Sequence, residues 1–319
     1  HRQDAGHQDQ RRVLRGDEAL TAQSERVRGI VAMLVSVACF SVMDSMLKLL
    51  SEHYPSLQVA FLRAASSLPV VLAVIAIRGR LGRIRPVNIR LHLLRGALSV
   101  LMLYSFITAV RESSLATTYS IFMCAPLLVA ALSVPMLKEK VVSGQWFAIA
   151  VGLSGVLLML GPVDGKWLSA GSLWAIVALW TYALAVVSLR LLSRTDTTES
   201  MVLGFTLLLM IGAGLLAIPG WQAIDWGRDL ALILGVGIMG SIGQNLITVA
   251  FRSAPAAVVA PFEYTAMLWG VLLDIAIWSV YPSALTLVGA SVVIGAGLYL
   301  IQRERRQAAV ASSGKPAAP

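Results

Sequence analysis

Apolar runs of about 19 to 24 residues recur along the chain, the length at which a helix rising ~1.5 Å per residue crosses a ~30 Å hydrocarbon core. Ten are read, at 29–49, 57–77, 91–110, 115–137, 143–161, 169–190, 200–218, 229–250, 255–278 and 282–302. They are continuously apolar rather than alternating, which excludes a membrane β-barrel. Short connections with turn residues separate them: Tyr54-Pro55-Ser56, Gly161-Pro162, Pro219-Gly220, Ala254-Pro255 and Tyr281-Pro282. The expected fold class is an all-α polytopic membrane protein with ten transmembrane helices.

Composition agrees. Of 319 residues, 57% are hydrophobic and 13% charged, against ~25% charged in soluble domains. Eleven charged residues precede Gly29 and five follow Gln302, so lipid is the solvent of the middle of the chain. A net charge of +9 does not indicate nucleic acid, because the basic residues alternate with apolar runs instead of forming one face. Cys39 and Cys124 fall inside apolar runs and read as small core residues. No disulfide framework, metal site or cofactor is expected.

Lys and Arg are retained on the cytoplasmic side of membrane proteins. With the N-terminus inside, 20 fall on cytoplasmic segments, including Arg78, Arg80, Arg83, Arg85, Arg90, Arg303, Arg305 and Arg306. Only Arg111, Lys166 and Arg228 fall opposite. Both termini are therefore expected in the cytoplasm, with residues 1–28 a disordered tail, 303–319 a basic tail, and the chain multi-pass in the inner (plasma) membrane.

The two halves repeat. Leu47-Lys48-Leu49-Leu50-Ser51 matches Leu189-Arg190-Leu191-Leu192-Ser193 at an offset of 142, Ile107-Thr108 matches Ile247-Thr248 at 140, and Ser56 and Phe61 align with Ser200 and Phe205 at 144. Corresponding loops carry opposite charge bias. Because five spans per half is odd, each half enters from the opposite face, as in transporters built from inverted repeats. The repeats are expected at 29–161 and 169–302.

Gly235-x-Gly237-x-x-Gly240 matches a dinucleotide fingerprint, with Glu263 downstream. That motif needs a strand before it, whereas this one lies inside an apolar window, so it reads as close helix packing or bending. Ionisable groups inside spans are more informative, since each costs at least ~2.5–3.5 kcal/mol at a helix centre. Asp44 and Lys48 lie one turn apart on the first span and can pair, and Arg63 sits at similar depth on the second. They form either a structural ion pair or the polar wall of a pathway. Glu263 lies near mid-depth with Tyr264 beside it; it is a substrate-binding or proton-linked residue, or else a neutral acid bonded to Gln244 or Asn245. Asp274 reads as a wet residue near the outer boundary. Tyr104, Tyr119, Trp174, Trp180, Tyr182 and Trp269 line a cavity for a planar ligand or anchor at the interface.

Ala125-Pro126-Leu127-Leu128, Leu137-Lys138-Glu139 and the segment Trp146–Val156 resemble the close of a first EamA domain; Phe262-Glu263-Tyr264-Thr265 and the segment Tyr281–Ala290 resemble the close of a second. The resemblance, to the EamA branch of the drug/metabolite transporter superfamily, covers residues 27–303. It implies ten helices in two inverted halves around a central cavity, transporting small polar solutes. Asp44-x-x-x-Lys48 with Arg63 is similar to a group that includes riboflavin and S-adenosylmethionine carriers. The partners expected are a small-molecule substrate and the lipid bilayer, with a homodimer open. The alternatives are an intramembrane enzyme, for which no paired carboxylates appear within the spans and the histidines, His92 among them, lie at or outside run ends, and a non-transporting assembly protein.

Overall fold

The computed structural model describes residues 2–77, 79–80, 82, 84–137, 143–159, 169–253 and 259–313. The expected turns at Gly161-Pro162 and Ala254-Pro255, and the residues Lys138 and Glu139, lie outside them. Eleven α-helices occur among the described residues: α1 Arg2–Ser51, α2 Ser56–Ile77, α3 Ile89–Glu112, α4 Leu115–Phe122, α5 Ala125–Leu137, α6 Ser143–Met159, α7 Ala170–Leu192, α8 Thr198–Ala217, α9 Trp226–Ser253, α10 Ala266–Trp278 and α11 Ala284–Ser313. No strand is present among these residues.

Among the described residues, seven segments are long and apolar enough to cross a membrane: Val27–Ser51, Ser56–Ile77, Ile89–Glu112, Leu115–Met136, Ala170–Leu192, Thr198–Gly220 and Trp226–Ala250. Ala284–Tyr299 is a shorter apolar helix. Leu157, Leu215, Leu216, Leu268 and Leu272 are exposed on the outside of the bundle, as a lipid solvent requires.

The segment expected as a disordered tail is corrected here: from Arg2 it is helical and continuous with the first span. Its Arg, Gln, Ala, Leu and Glu residues are good helix formers and it contains no proline, so helix started in the span propagates into it cheaply.

Helix ends follow local chemistry. Asn88, Ser114, Ser169 and Thr197 cap α3, α4, α7 and α8 by accepting the backbone N–H three positions on, satisfying donors that the helix cannot. Ser279 ends α10 in the left-handed region, φ 55°, just before Pro282. Two apolar windows are interrupted. Residues 115–137 break at Met123-Cys124 ahead of Pro126, and 255–278 contains the 3₁₀ turn Ala260–Thr265 with Pro261 before α10 begins. Proline supplies no N–H and is tolerated in the first turn of a helix, where Pro126 and Pro261 both sit, so each marks the start of a new helical segment.

Packing is most extensive between α1 and α9, α3 and α7, α6 and α11, and α2 and α8. The glycines of the dinucleotide-like motif make the α1–α9 seam. An added Cβ at Gly235, Gly240 or Gly243 would meet Met46, Met43 or Phe40 of α1, and at Gly237 the backbone of Ser66 in α2. Ser36 Oγ donates to the Gly243 carbonyl at 2.7 Å across the same seam. The motif is a packing surface.

Candidate functional site

Helix α4 stands at the centre of the site. It is held at its N-terminus by Asp274 of α10, whose carboxylate accepts Leu115 N–H at 3.0 Å and Ala116 N–H at 2.7 Å. Lys48 reaches the same carboxylate at 3.4 Å, donates to the Ser113 carbonyl at 3.1 Å, and lies 4.3 Å from the centre of the Trp278 ring. Asp274 is 1% exposed, which corrects its reading as a wet boundary residue: the amides at the start of α4 and the Lys48 ammonium replace the water that it would otherwise need.

The expected Asp44–Lys48 pair is likewise corrected, since Lys48 binds an acid on another span. Asp44 instead accepts the Tyr119 hydroxyl at 2.8 Å. Arg63 attracts Asp44 electrostatically but forms no direct ion pair with it. Arg63 is half-buried, and its side chain makes no hydrogen bond among the described residues.

Two layers result. Asp44 lies four residues before Lys48, Tyr119 four after Leu115, and Gly270 four before Asp274, so each lower-layer residue sits one turn beneath its upper-layer partner. Gly270 leaves the space that the Tyr119 ring fills; a Cβ there would come within 2.7 Å of it. The upper layer is saturated with hydrogen bonds. The lower layer holds Arg63 with its donors free.

Farther along α4, Phe122 packs against Phe106 at 5.3 Å and Tyr182 at 5.9 Å between ring centres. Tyr182 and Tyr264 both feel the charge of Glu263. Glu263 is half-buried in the 3₁₀ turn and has no hydrogen bond and no basic partner among the described residues. The reading of it as bonded to Gln244 or Asn245 does not hold: both are exposed on α9, where Asn245 donates to the Ser241 carbonyl and the Gln244 carbonyl accepts from Thr248. The Tyr264 hydroxyl is buried without a hydrogen-bond partner, against Gly297 of α11.

Two expected residues stand apart. Trp180 is 47% exposed on α7. Tyr104 stacks edge-on with Trp174 at 5.3 Å and lines an apolar groove of about 600 Å³ between α3 and α8, with Leu57, Leu93, Val100 and Leu208.

Polar clasps also hold the ends of the bundle. Asp196, in the α7–α8 turn, accepts Val87 N–H at 2.7 Å and Asn88 N–H at 3.2 Å and pairs with His92 at 2.9 Å. These bonds hold its carboxyl well below the usual range, at about 2. Arg80 donates to Glu199 at 2.6 Å. Elsewhere, the Tyr54 hydroxyl accepts Asp225 N–H at 3.0 Å and donates to Asp229 at 2.5 Å, and Gln58 exchanges two hydrogen bonds with the backbone of Gln222 at 2.7 and 2.9 Å. None of these partners was legible beforehand, because each joins residues more than 100 positions apart.

An apolar helical bundle with seven segments long enough to span a bilayer among its described residues is the architecture of a multi-pass membrane protein. Residues 27–161 match the EamA-like transporter family, in agreement with the resemblance read from the sequence over that stretch. The riboflavin transporter of Vibrio cholerae is 25% identical over 284 residues, 88% of this chain and 95% of its own length. The S-adenosylmethionine uptake transporter of Rickettsia prowazekii is 25% identical over 285 residues, 88% of this chain and 94% of its own. A crystal structure covered over 99% of its length superposes on 89% of this chain with a TM-score of 0.60 and 18% identity, a likeness of fold.

Proposed function

We propose that this protein is a secondary transporter that carries a small polar metabolite across the inner membrane by alternating access at a cavity between two inverted five-helix repeats. The observation that carries the reading is the pair Arg63 and Glu263. Each is an ionisable group placed in an apolar bundle, at a cost of at least ~2.5–3.5 kcal/mol near a helix centre. Neither has a hydrogen bond among the described residues to offset that cost, while Lys48, Asp274 and Asp44 are bonded. A solute with its own polar groups would satisfy them. The two similar proteins are named as transporters of small metabolites, which supports that substrate class and a non-enzymatic role.

The repeats, 29–161 and 169–302, are supported by contacts that recur at the spacing of the sequence repeat. Tyr54 and Asp196 are 142 residues apart, and each bonds the backbone where a later helix begins and a side chain in its first turn. Gln58 and Glu199 are 141 apart, and their partners Arg80 and Gln222 are 142 apart. A two-fold relation between halves also makes α1–α9 and α3–α7 equivalent pairs, and these are the two most extensive packings. On this reading α4 with α5 forms the fourth span, α6 the fifth, the 3₁₀ turn with α10 the ninth, and α11 the tenth. The discontinuous fourth and ninth spans are the kind that build transporter sites near the midplane. The bias of Lys and Arg puts both termini in the cytoplasm.

The test is reconstitution. Lipid vesicles containing the protein are incubated with a mixture of small polar metabolites and their contents read by mass spectrometry. A compound should accumulate above protein-free vesicles and fail to do so with Glu263→Gln. Entry of every compound at the protein-free rate would contradict the proposal.

A further inference from the structure

We propose that Lys48 is a two-station switch: seated on Asp274 it closes the end of the passage formed by α1, α4 and α10, and seated on Asp44 it opens that end and frees Arg63 for an anionic group of the solute. This inference rests on the proposed passage through the bundle.

The closed station is the arrangement observed. Lys48 and Asp274 draw α1 and α10 together, Ser113 and the first amides of α4 fill the gap between them, and Trp278 of α10 adds a 3.0 Å hydrogen bond to Glu52 of α1. The three elements are thereby sealed immediately above the layer holding Asp44, Tyr119 and Arg63. The second station follows from helix geometry. A side chain on a helix leans toward the N-terminus, so Lys48 leans toward Asp44, and an acid four residues before a lysine is the favoured order for a pair.

The strengths of the bonds at Asp274 make the exchange cheap. Lys48 holds Asp274 at 3.4 Å, long for a charge-assisted bond, whose usual length is ~2.7–2.9 Å. The amides of Leu115 and Ala116 hold the same carboxylate at 3.0 and 2.7 Å. When Lys48 leaves, Asp274 keeps its two amide donors on α4. When Lys48 arrives, Asp44 gains a cation and no longer needs Arg63 to compensate it. Arg63 already makes no hydrogen bond, so its planar fork of donors becomes available to a carboxylate or phosphate. Opening of the end and availability of the anion site are then a single event.

The test uses a reporter cysteine at Ser41, one turn below Asp44 on α1, in the Cys39→Ala, Cys124→Ala background, reconstituted in vesicles. Its labelling by a membrane-impermeant maleimide from the non-cytoplasmic side is compared among variants. Asp274→Asn weakens the closed station and should raise the labelling rate about tenfold; Asp44→Asn removes the open station and should lower it about threefold. Loosening of structure alone would raise both, so a rise in Asp44→Asn overturns the proposal, as does an unchanged rate in both variants. If Asp274→Asn does not fold, Trp278→Leu, which removes the ring under Lys48 and the bond to Glu52, takes its place with the same expected rise, and no change overturns the proposal. Metabolite entry is scored separately in the same vesicles. Labelling that moves in the stated directions while nothing is carried upholds the switch and sinks only the transport reading.

Discussion

Replacing Gly237 by alanine should prise apart the seam between α2 and α9. The added Cβ would lie 2.5 Å from the Ser66 carbonyl oxygen, 2.7 Å from its carbon and 2.9 Å from its Cβ. Ordinary contact begins at 3.4 Å, so the helices must separate by about 0.9 Å. The obstacle is backbone, which cannot rotate aside as a side chain would. Overpacking a filled interior costs ~1–3 kcal/mol, and rigid backbone puts this site toward the upper end; alanine returns up to ~1 kcal/mol of helix propensity. The net loss is about 2 kcal/mol, or about 3 °C in Tm at ~2.1 cal/mol/K of unfolding entropy per residue over 319 residues. Ser66 is less than one turn from Arg63 and bonds its carbonyl at 3.2 Å, so the same displacement moves the candidate anion site. Gly295→Ala is the control, because a Cβ there meets nothing within 4 Å and the change should be neutral or mildly stabilising. Thermal unfolding of the purified variants decides the matter. A Gly237→Ala protein as stable as Gly295→Ala would refute the view that these glycines exist for packing.

Three further outcomes are expected. Tyr119→Phe removes the 2.8 Å bond to Asp44 and should cost ~1.5–3 kcal/mol, the range for a hydrogen bond to a charged group, measured as chemical or thermal stability; an unchanged value would show that Asp44 is held by other groups. Asp196 has its folded-state pKa depressed to about 2 against ~3.9 unfolded, so its stabilising contribution is present above pH ~4 and is lost as the pH falls toward ~2. Asp196→Asn should remove that part of the acid dependence, and a variant with the wild-type acid profile would show that the clasp does not titrate. A reporter fused after Gln302 should be active only if its activity is cytoplasmic; periplasmic activity there would break the ten-span topology.

The apolar pattern carried most of the architecture, because the cost of exposing backbone to lipid leaves helix as the solution for every long apolar run. It did not locate the breaks at Met123-Cys124 and Ala260–Thr265, since the residues remain apolar across them and only Pro126 and Pro261 mark the change. It missed the helicity of residues 2–28, where polarity was taken for disorder although the residues favour helix. For the candidate site, sequence reasoning found the ionisable groups and mistook their partners. Asp44 and Lys48 read as a local pair because that is the geometry a single helix offers, whereas Asp274 lies 226 positions from Lys48. The signal that could have found it was present: an acid just before a helix end, with a capped turn at Ser114-Leu115 in need of an acceptor. His92 and Asp196 carried no comparable signal, because an acid in a polar turn and a histidine at a span's edge are each ordinary alone.

The proposed function is that the chain carries a small polar metabolite across the membrane with Arg63 and Glu263 as its binding groups. Its most direct test is an untargeted comparison of internal and external small-molecule pools between cells lacking the protein and the same cells supplied with the wild type, Arg63→Gln or Glu263→Gln at equal membrane abundance. At least one polar metabolite is expected to shift between the two compartments with the wild type and to return to the level of the deletion with either variant. Pools that are the same with and without the wild-type protein, or a shift that both variants reproduce in full, would contradict it.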